Sequence, residues 1–217
     1  MDELIRNLAV YALPVLFAIT LHEAAHAYAA KHFGDTTAYA AGRMSLNPMT
    51  HIDPFGTVII PVLLYLTTGF VFGYAKPVPI DFSRLRHPKR DMAWVALAGP
   101  AANFIMALLW TILGILLDAF QVAEPFWHKM ADAGLLTNLL FFAFNLIPIP
   151  PLDGGRVAVS LLPNRLAYKY ARLEPYGFFI VLALIFLKVL NFWVIPVVVA
   201  GQGLLSLIVS PLNLLLH

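Results

Sequence analysis

The sequence predicts an all-α polytopic membrane protein, with about five to six transmembrane helices and a re-entrant, extended β-like element between the first and second clear spans. Three observations predict it. Of 217 residues, 60% are hydrophobic and 12% charged, with a mean hydropathy of +0.79, whereas a soluble domain carries about 25% charged residues. Apolar runs long enough to cross a bilayer recur along the chain. The cations are gathered into two loop segments, as the positive-inside rule requires of cytoplasmic loops. The net charge of +2 is uninformative by itself. There is no cysteine, which removes disulfides and thiolate metal sites, so a metal here must use histidine and carboxylate.

The elements follow in order. Residues 4–30 form the first span, which continues towards Phe33 and closes at Gly34. The start, Met1-Asp2-Glu3, has neither a basic n-region nor a small-residue cleavage site, and is read as part of that span. Residues 35–54 are polar and turn-rich (Asn47-Pro48, Asp53-Pro54), a loop or hairpin. Residues 55–72 are apolar but interrupted by Pro61 and Gly69. Residues 73–80, G-Y-A-K-P-V-P-I, are extended, because two prolines exclude a helix. Residues 92–117 are the second clear span. The third, 135–147, ends in the proline-rich break N-L-I-P-I-P-P-L-D-G-G-R. A basic segment at 156–174 holds a short helix, and 176–190 with 192–210 form a final helical hairpin.

Lys76, Arg84, Arg86, Lys89 and Arg90 precede the second clear span, and Arg156, Arg165, Lys169 and Arg172 follow the third. Both segments are therefore read as cytoplasmic, and the first span ends inside. A full crossing at 55–72 would put the first cation cluster outside. A re-entrant element over 55–80 avoids this, and such backbone is tolerated where protein or a watery cavity satisfies it. A sixth ordinary span that breaks the charge rule is the alternative.

The chemistry sits in the first span. His22-Glu23-Ala24-Ala25-His26 is an H-E-x-x-H motif. On a helix the two imidazoles lie one turn apart on one face and can share a metal ion. Glu23 projects about 100° from His22, within reach of a water on that metal. A charged group in hydrocarbon costs about 2.5–3.5 kcal/mol on insertion scales, so such residues are paired, ligated or used. His22 lies roughly 27 Å into the span, towards its cytoplasmic end. Asp153, after the third span, arrives at a similar depth. Two histidines and a carboxylate with an open fourth position make a catalytic zinc site, with Glu23 as general base. Pro148, Pro150 and Pro151 stop the helix, and Gly154-Gly155 are read as a sharp turn beside Asp153. His32 is rejected as third ligand. The position where soluble zinc proteases place a turning glycine is Ala29, and on a continuing helix His32 stands about 80° round and about 15 Å along from His22. His51 and Asp53 read as turn residues. Asn103, in G-P-A-A-N at 99–103, is a polar amide of the kind that joins helices in membranes.

H-E-A-A-H, G-P-A-A-N and N-L-I-P-I-P-P-L-D-G-G, in this order on three spans, resemble the site-2 protease family of intramembrane zinc metalloproteases, peptidase family M50, in its short prokaryotic branch without PDZ or CBS domains. The likeness extends to about residue 165. It implies one Zn2+ per chain on His22, His26 and Asp153, and Glu23 as base. It further implies that Asn145 and Asn103 position substrate or stabilise the oxyanion, and that the element near 70–80 presents substrate by strand pairing. The implied organisation is one membrane-embedded unit over 1–217, with a catalytic core at about 4–165 and the hairpin at about 176–212. The expected partners are a transmembrane protein substrate and the lipid bilayer, with no nucleic acid. The expected location is the cytoplasmic membrane, with the site towards the cytoplasmic side. A metal-ion transporter and a non-cleaving zinc-bound scaffold are the alternatives. The residues do not specify an oligomeric state.

Overall fold

A computed structural model describes residues 2–60, 63 and 76–216. Eight α-helices are described: α1 (Asp2–Phe33), α2 (Thr37–Ala40), α3 (Pro88–Ala119), α4 (Pro125–Asn145), α5 (Asp153–Leu161), α6 (Asn164–Ala171), α7 (Glu174–Phe186) and α8 (Asn191–Leu216). No strand occurs among the described residues.

Among the described residues, three helical segments are long and apolar enough to cross a membrane: Leu8–Phe33, Pro88–Ala119 and Asn191–Leu216. Helix α4 has 21 residues, but His128, Lys129 and Asp132 lie near its start. Helix α7 has 13 residues, about 20 Å at 1.5 Å per residue, short of the roughly 30 Å hydrocarbon core. The expected count of five to six spans thus has three clear members here. The final hairpin is unequal, a short α7 before a long α8. Helix α4 also starts ten residues earlier than the apolar run that announces it, because Pro125 follows a capping Glu124 whose side chain accepts from Phe126 N.

Helices α1, α3 and α4 pack together, with α8 across α3 and α4 and with α5 against α3. Every fourth residue of α1 is buried: Val10, Pro14, Ala18, His22, His26 and Ala30. The facing stripe on α3 has the same period: Asp91, Val95, Gly99, Asn103 and Ala107. Ridges of period four are the commonest packing surfaces of helices, and small residues along them let backbones approach closely without a hydrophobic drive between helices. The polar residues of the site therefore occupy packing positions. On α4, Met130, Gly134 and Asn138 continue the pattern, and Gly134 lies against the Trp110 indole, where a Cβ would overlap ring atoms. Leu139, Ala143, Ala107, Val198 and Leu205 form the apolar cluster between α4, α3 and α8.

Gly34 ends α1 at φ +115°, a conformation open to glycine. Asp35, 1% exposed, then ties two segments together. Its Oδ1 accepts from Thr37 N and its Oδ2 from Asp81 N at 2.8 Å. Asp53 caps a π-helical turn, Pro54–Ile59, by accepting from Phe55 N and Gly56 N. Residues 61, 62 and 64–75, where the re-entrant and fully crossing readings diverge, lie outside the described residues. Residues 76–81 are irregular chain held at both ends. Lys76 N donates to His51 O, Arg43 Nη2 donates to Lys76 O, and Asp81 N donates to Asp35. Buried Val78 packs on Ala27 and Ala38.

Candidate metal centre

His22 and His26 arrive one turn apart on the buried stripe of α1. Asp153 arrives as the first residue of α5, after the proline break rather than on the third span itself. The break and α5 are locked to one another. A Cβ on Gly154 would stand 2.5 Å from Ile147 O, and one on Gly155 would stand 2.7 Å from Pro150 Cα. Both glycines are helical, and neither has positive φ. They serve close backbone approach and not the sharp turn expected of them. Tyr170 OH on α6 donates to Pro148 O and holds the break from below.

The three side chains meet through one atom each. His22 Nε2 lies 3.2 Å from Asp153 Oδ2, His26 Nε2 lies 3.3 Å from the same oxygen, and the two Nε2 atoms are 3.0 Å apart. All three residues are buried, at 6, 6 and 9% exposure. Among the described residues, they are the group of His, Asp and Glu side chains able to hold a metal ion.

The far ring nitrogens decide what these short distances mean. His26 Nδ1 lies 2.7 Å from Val95 O, and a carbonyl can only accept, so Nδ1 carries the proton. His22 Nδ1 lies 2.7 Å from Asn103 Oδ1. The Asn103 amide is fixed because its Nδ2 donates to Ala18 O and to Asn138 Oδ1, both at 3.1 Å. His22 Nδ1–H therefore donates as well. In the neutral rings both Nε2 atoms then present lone pairs, and Asp153 Oδ2, buried with no donor, presents a third. Three lone pairs within 3.3 Å repel one another unless a cation lies among them. Neutral imidazole Nε2 atoms and a carboxylate oxygen are zinc's own donor set, and outer hydrogen bonds to carbonyl and amide oxygens are how metal-binding histidines are oriented. The residues fit zinc.

Gly99 makes room for the rings. A Cβ there would overlap His26 Nε2 and stand 2.6 Å from Cε1 of both imidazoles. Glu23 is half-buried beside the group, and its Oε2 accepts from Val78 N at 2.8 Å. Pro77 and Pro79 have no N–H, so Val78 supplies the one backbone donor of the P-V-P run, and Glu23 takes it. Asn103 is fully buried, with its amide facing His22, Ala18 and Asn138. Asn145 closes α4, and its Nδ2 donates to Phe141 O at 3.0 Å in its own helix. His32 is exposed, on a helix that runs on to Phe33, and stacks edge-on against the Phe33 ring. Buried His51 lies 2.8 Å from Ser45 O through Nε2. Sequence reasoning missed Asn138, Val95 O, the Val78 N–H and the steric role of Gly99. A visible signal existed for Asn138, a second amide in an apolar helix four residues after a glycine.

The profile of peptidase family M50 matches residues 119–188. The chain is 35% identical over 209 residues to "Putative zinc metalloprotease YwhC" of Bacillus subtilis (strain 168), covering 92% of each chain. The chain belongs to peptidase family M50. A second relative, "Putative zinc metalloprotease Rip2" of Mycolicibacterium smegmatis, is 33% identical over 180 residues, covering 82% of this chain and 67% of that one. "Zinc metalloprotease MJ0392" of Methanocaldococcus jannaschii is 27% identical over 160 residues, 74% of this chain and 36% of its own. No solved structure gives a significant match. Membership of M50 makes the chain a zinc metalloprotease, a hydrolase of the membrane, with Zn2+ as its cofactor.

Proposed function

We propose that the chain is an intramembrane zinc endopeptidase that hydrolyses peptide bonds within or near transmembrane segments of other membrane proteins. The observation that carries this is the meeting of three lone pairs, from His22, His26 and Asp153, inside a packed group of apolar helices. In this reading those residues hold the zinc, and residues 1–217 act as one membrane-embedded unit.

When bound, zinc supplies Lewis acidity to a water and to the scissile carbonyl. Glu23 is the general base. Its Oε2 is held by the Val78 N–H, which leaves Oε1 to take the water's proton and pass it to the leaving amine. Val95 O and Asn103 Oδ1 hold the two imidazoles in the tautomer with Nε2 free. Asn145 is the proposed substrate-facing amide, and acting as a donor there requires it to release Phe141 O. A helical substrate shields its own peptide bonds, so the segment must unwind before attack. Pairing with chain near residues 70–80 is the proposed means of holding it extended. By the positive-inside rule, the cations around Lys89 and Arg165 support a site towards the cytoplasmic side of the cell membrane.

The test is Glu23→Gln, reconstituted with a single-span substrate. The variant is expected to keep its zinc and lose cleavage. Undiminished cleavage contradicts the proposal.

A further inference from the structure

We infer that Asn138, on α4, is a positioning residue for His22, acting through Asn103. This rests on the zinc reading of His22, His26 and Asp153. Asn138 lies outside the three motifs of the sequence, yet it is completely buried, as is Asn103. An amide between membrane helices can act simply as adhesive. What separates this case is direction.

Asn138 Nδ2 donates to Gly134 O at 2.9 Å. A carbonyl cannot donate, so the Asn138 amide has one orientation, with Oδ1 turned to Asn103. There it accepts from Asn103 Nδ2. Asn103 Nδ2 has two hydrogens, and the second goes to Ala18 O. With both placed, Asn103 Oδ1 must face His22 Nδ1, and His22 Nε2 must present its lone pair to Asp153. Rotating the Asn103 amide by half a turn breaks both Nδ2 bonds and sets an N–H against the proton on His22 Nδ1. Without Asn138 only the Ala18 bond holds the Nδ2 end of Asn103, and one Asn103 hydrogen is left buried without an acceptor. The route runs Gly134 O, Asn138, Asn103, His22, across α4, α3 and α1. Close approach of α4 to Trp110 at Gly134 fixes its starting point.

The experiment measures zinc affinity of the purified full chain by competition with a chromogenic chelator, together with the absorption spectrum of the Co2+-substituted protein. Asn138→Leu removes the acceptor, and Asn138→Ser cannot reach Asn103, so one replaces the other should either fail to fold. Asn138→Asp keeps an acceptor oxygen towards Asn103 and, as the neutral acid that burial among apolar helices favours, an O–H donor to Gly134 O. Outer partners of metal ligands typically contribute about 10–100-fold in affinity. Asn138, one bond further out, is expected near the lower end, with about tenfold weaker zinc binding and an altered Co2+ spectrum in the Leu or Ser variant. Asn138→Asp is expected to restore both. Wild-type affinity and spectrum in Leu or Ser overturn the inference, and so does equal loss in all three, which marks a merely structural amide. His22→Ala is run in parallel. If it binds zinc normally, the zinc reading itself fails, independently of Asn138.

Discussion

Gly99→Ala is the sharpest perturbation available, because it adds one carbon and no charge. Its Cβ would stand 2.6 Å from Cε1 of both His22 and His26, against 3.4 Å at the near edge of ordinary contact. Each ring must therefore withdraw by 0.8 Å or more, or α3 must move away from α1. The rings have little room to withdraw, since each is held from behind by a 2.7 Å bond, to Asn103 and to Val95. A zinc site keeps its ligand distances within about 0.2 Å, so a shift of this size leaves the set unable to close. We expect zinc affinity to fall by about 100-fold or more, and cleavage to fall at least in proportion, as a misplacement of about 1 Å can cost about 100-fold in rate. Overpacking adds a loss of about 1–3 kcal/mol of stability. The assay is chelator competition on purified protein, followed by cleavage in proteoliposomes. Gly114→Ala is the control on the same helix, where the nearest atom is Ala131 Cβ at 3.9 Å, and it should bind zinc normally. Wild-type zinc affinity in Gly99→Ala refutes the packing of that glycine against the metal centre.

Two other outcomes follow from the same geometry. Val78→Pro deletes the N–H that holds Glu23 Oε2 while keeping an extended backbone, and it should lower kcat about tenfold without changing zinc content; Val78→Ala, which keeps the N–H, should not, and equal rates in both variants show that this bond does not position the base. Stripping zinc should lower the melting temperature of the wild-type protein by several degrees, because a ligand of the folded state stabilises it and its removal leaves three lone pairs in mutual contact; Asp153→Leu should lose that response, and an undiminished shift in that variant places the metal elsewhere.

The cluster of His22, His26 and Asp153 was legible because its grammar is local. H-E-A-A-H fixes two imidazoles on one helix face whatever surrounds them, and Asp153 was reachable because a proline-broken helix and loop charges bring it to the same depth. The same helical arithmetic keeps His32 away from the pair, and it lies exposed near the end of α1. What stayed hidden depends on which face meets which. Gly99 looked like a packing glycine, and only the facing stripe of α1 reveals that its neighbours are the two imidazoles. Asn103 looked like adhesive or a substrate contact, and Asn138 drew no notice, because an amide's role depends on where its oxygen points. Gly154 and Gly155 resembled a turn, but their missing side chains admit the backbone of residues 146–150 instead. The membrane count was harder to read. Hydropathy locates apolar runs but does not say how many residues of each are helical, so α4 began earlier than its apolar run and α7 proved only 13 residues long.

The central claim is the ligand set, two imidazoles of α1 and one carboxylate of α5. Zinc K-edge absorption on the purified protein tests it most directly. The expected first shell has two imidazole nitrogens at about 2.0–2.1 Å and two oxygens at about 2.0–2.2 Å, one of them from Asp153. The expected spectrum is unchanged in His32→Ala and has lost zinc in Asp153→Ala. A third imidazole in the shell, or a full zinc complement in Asp153→Ala, contradicts the account.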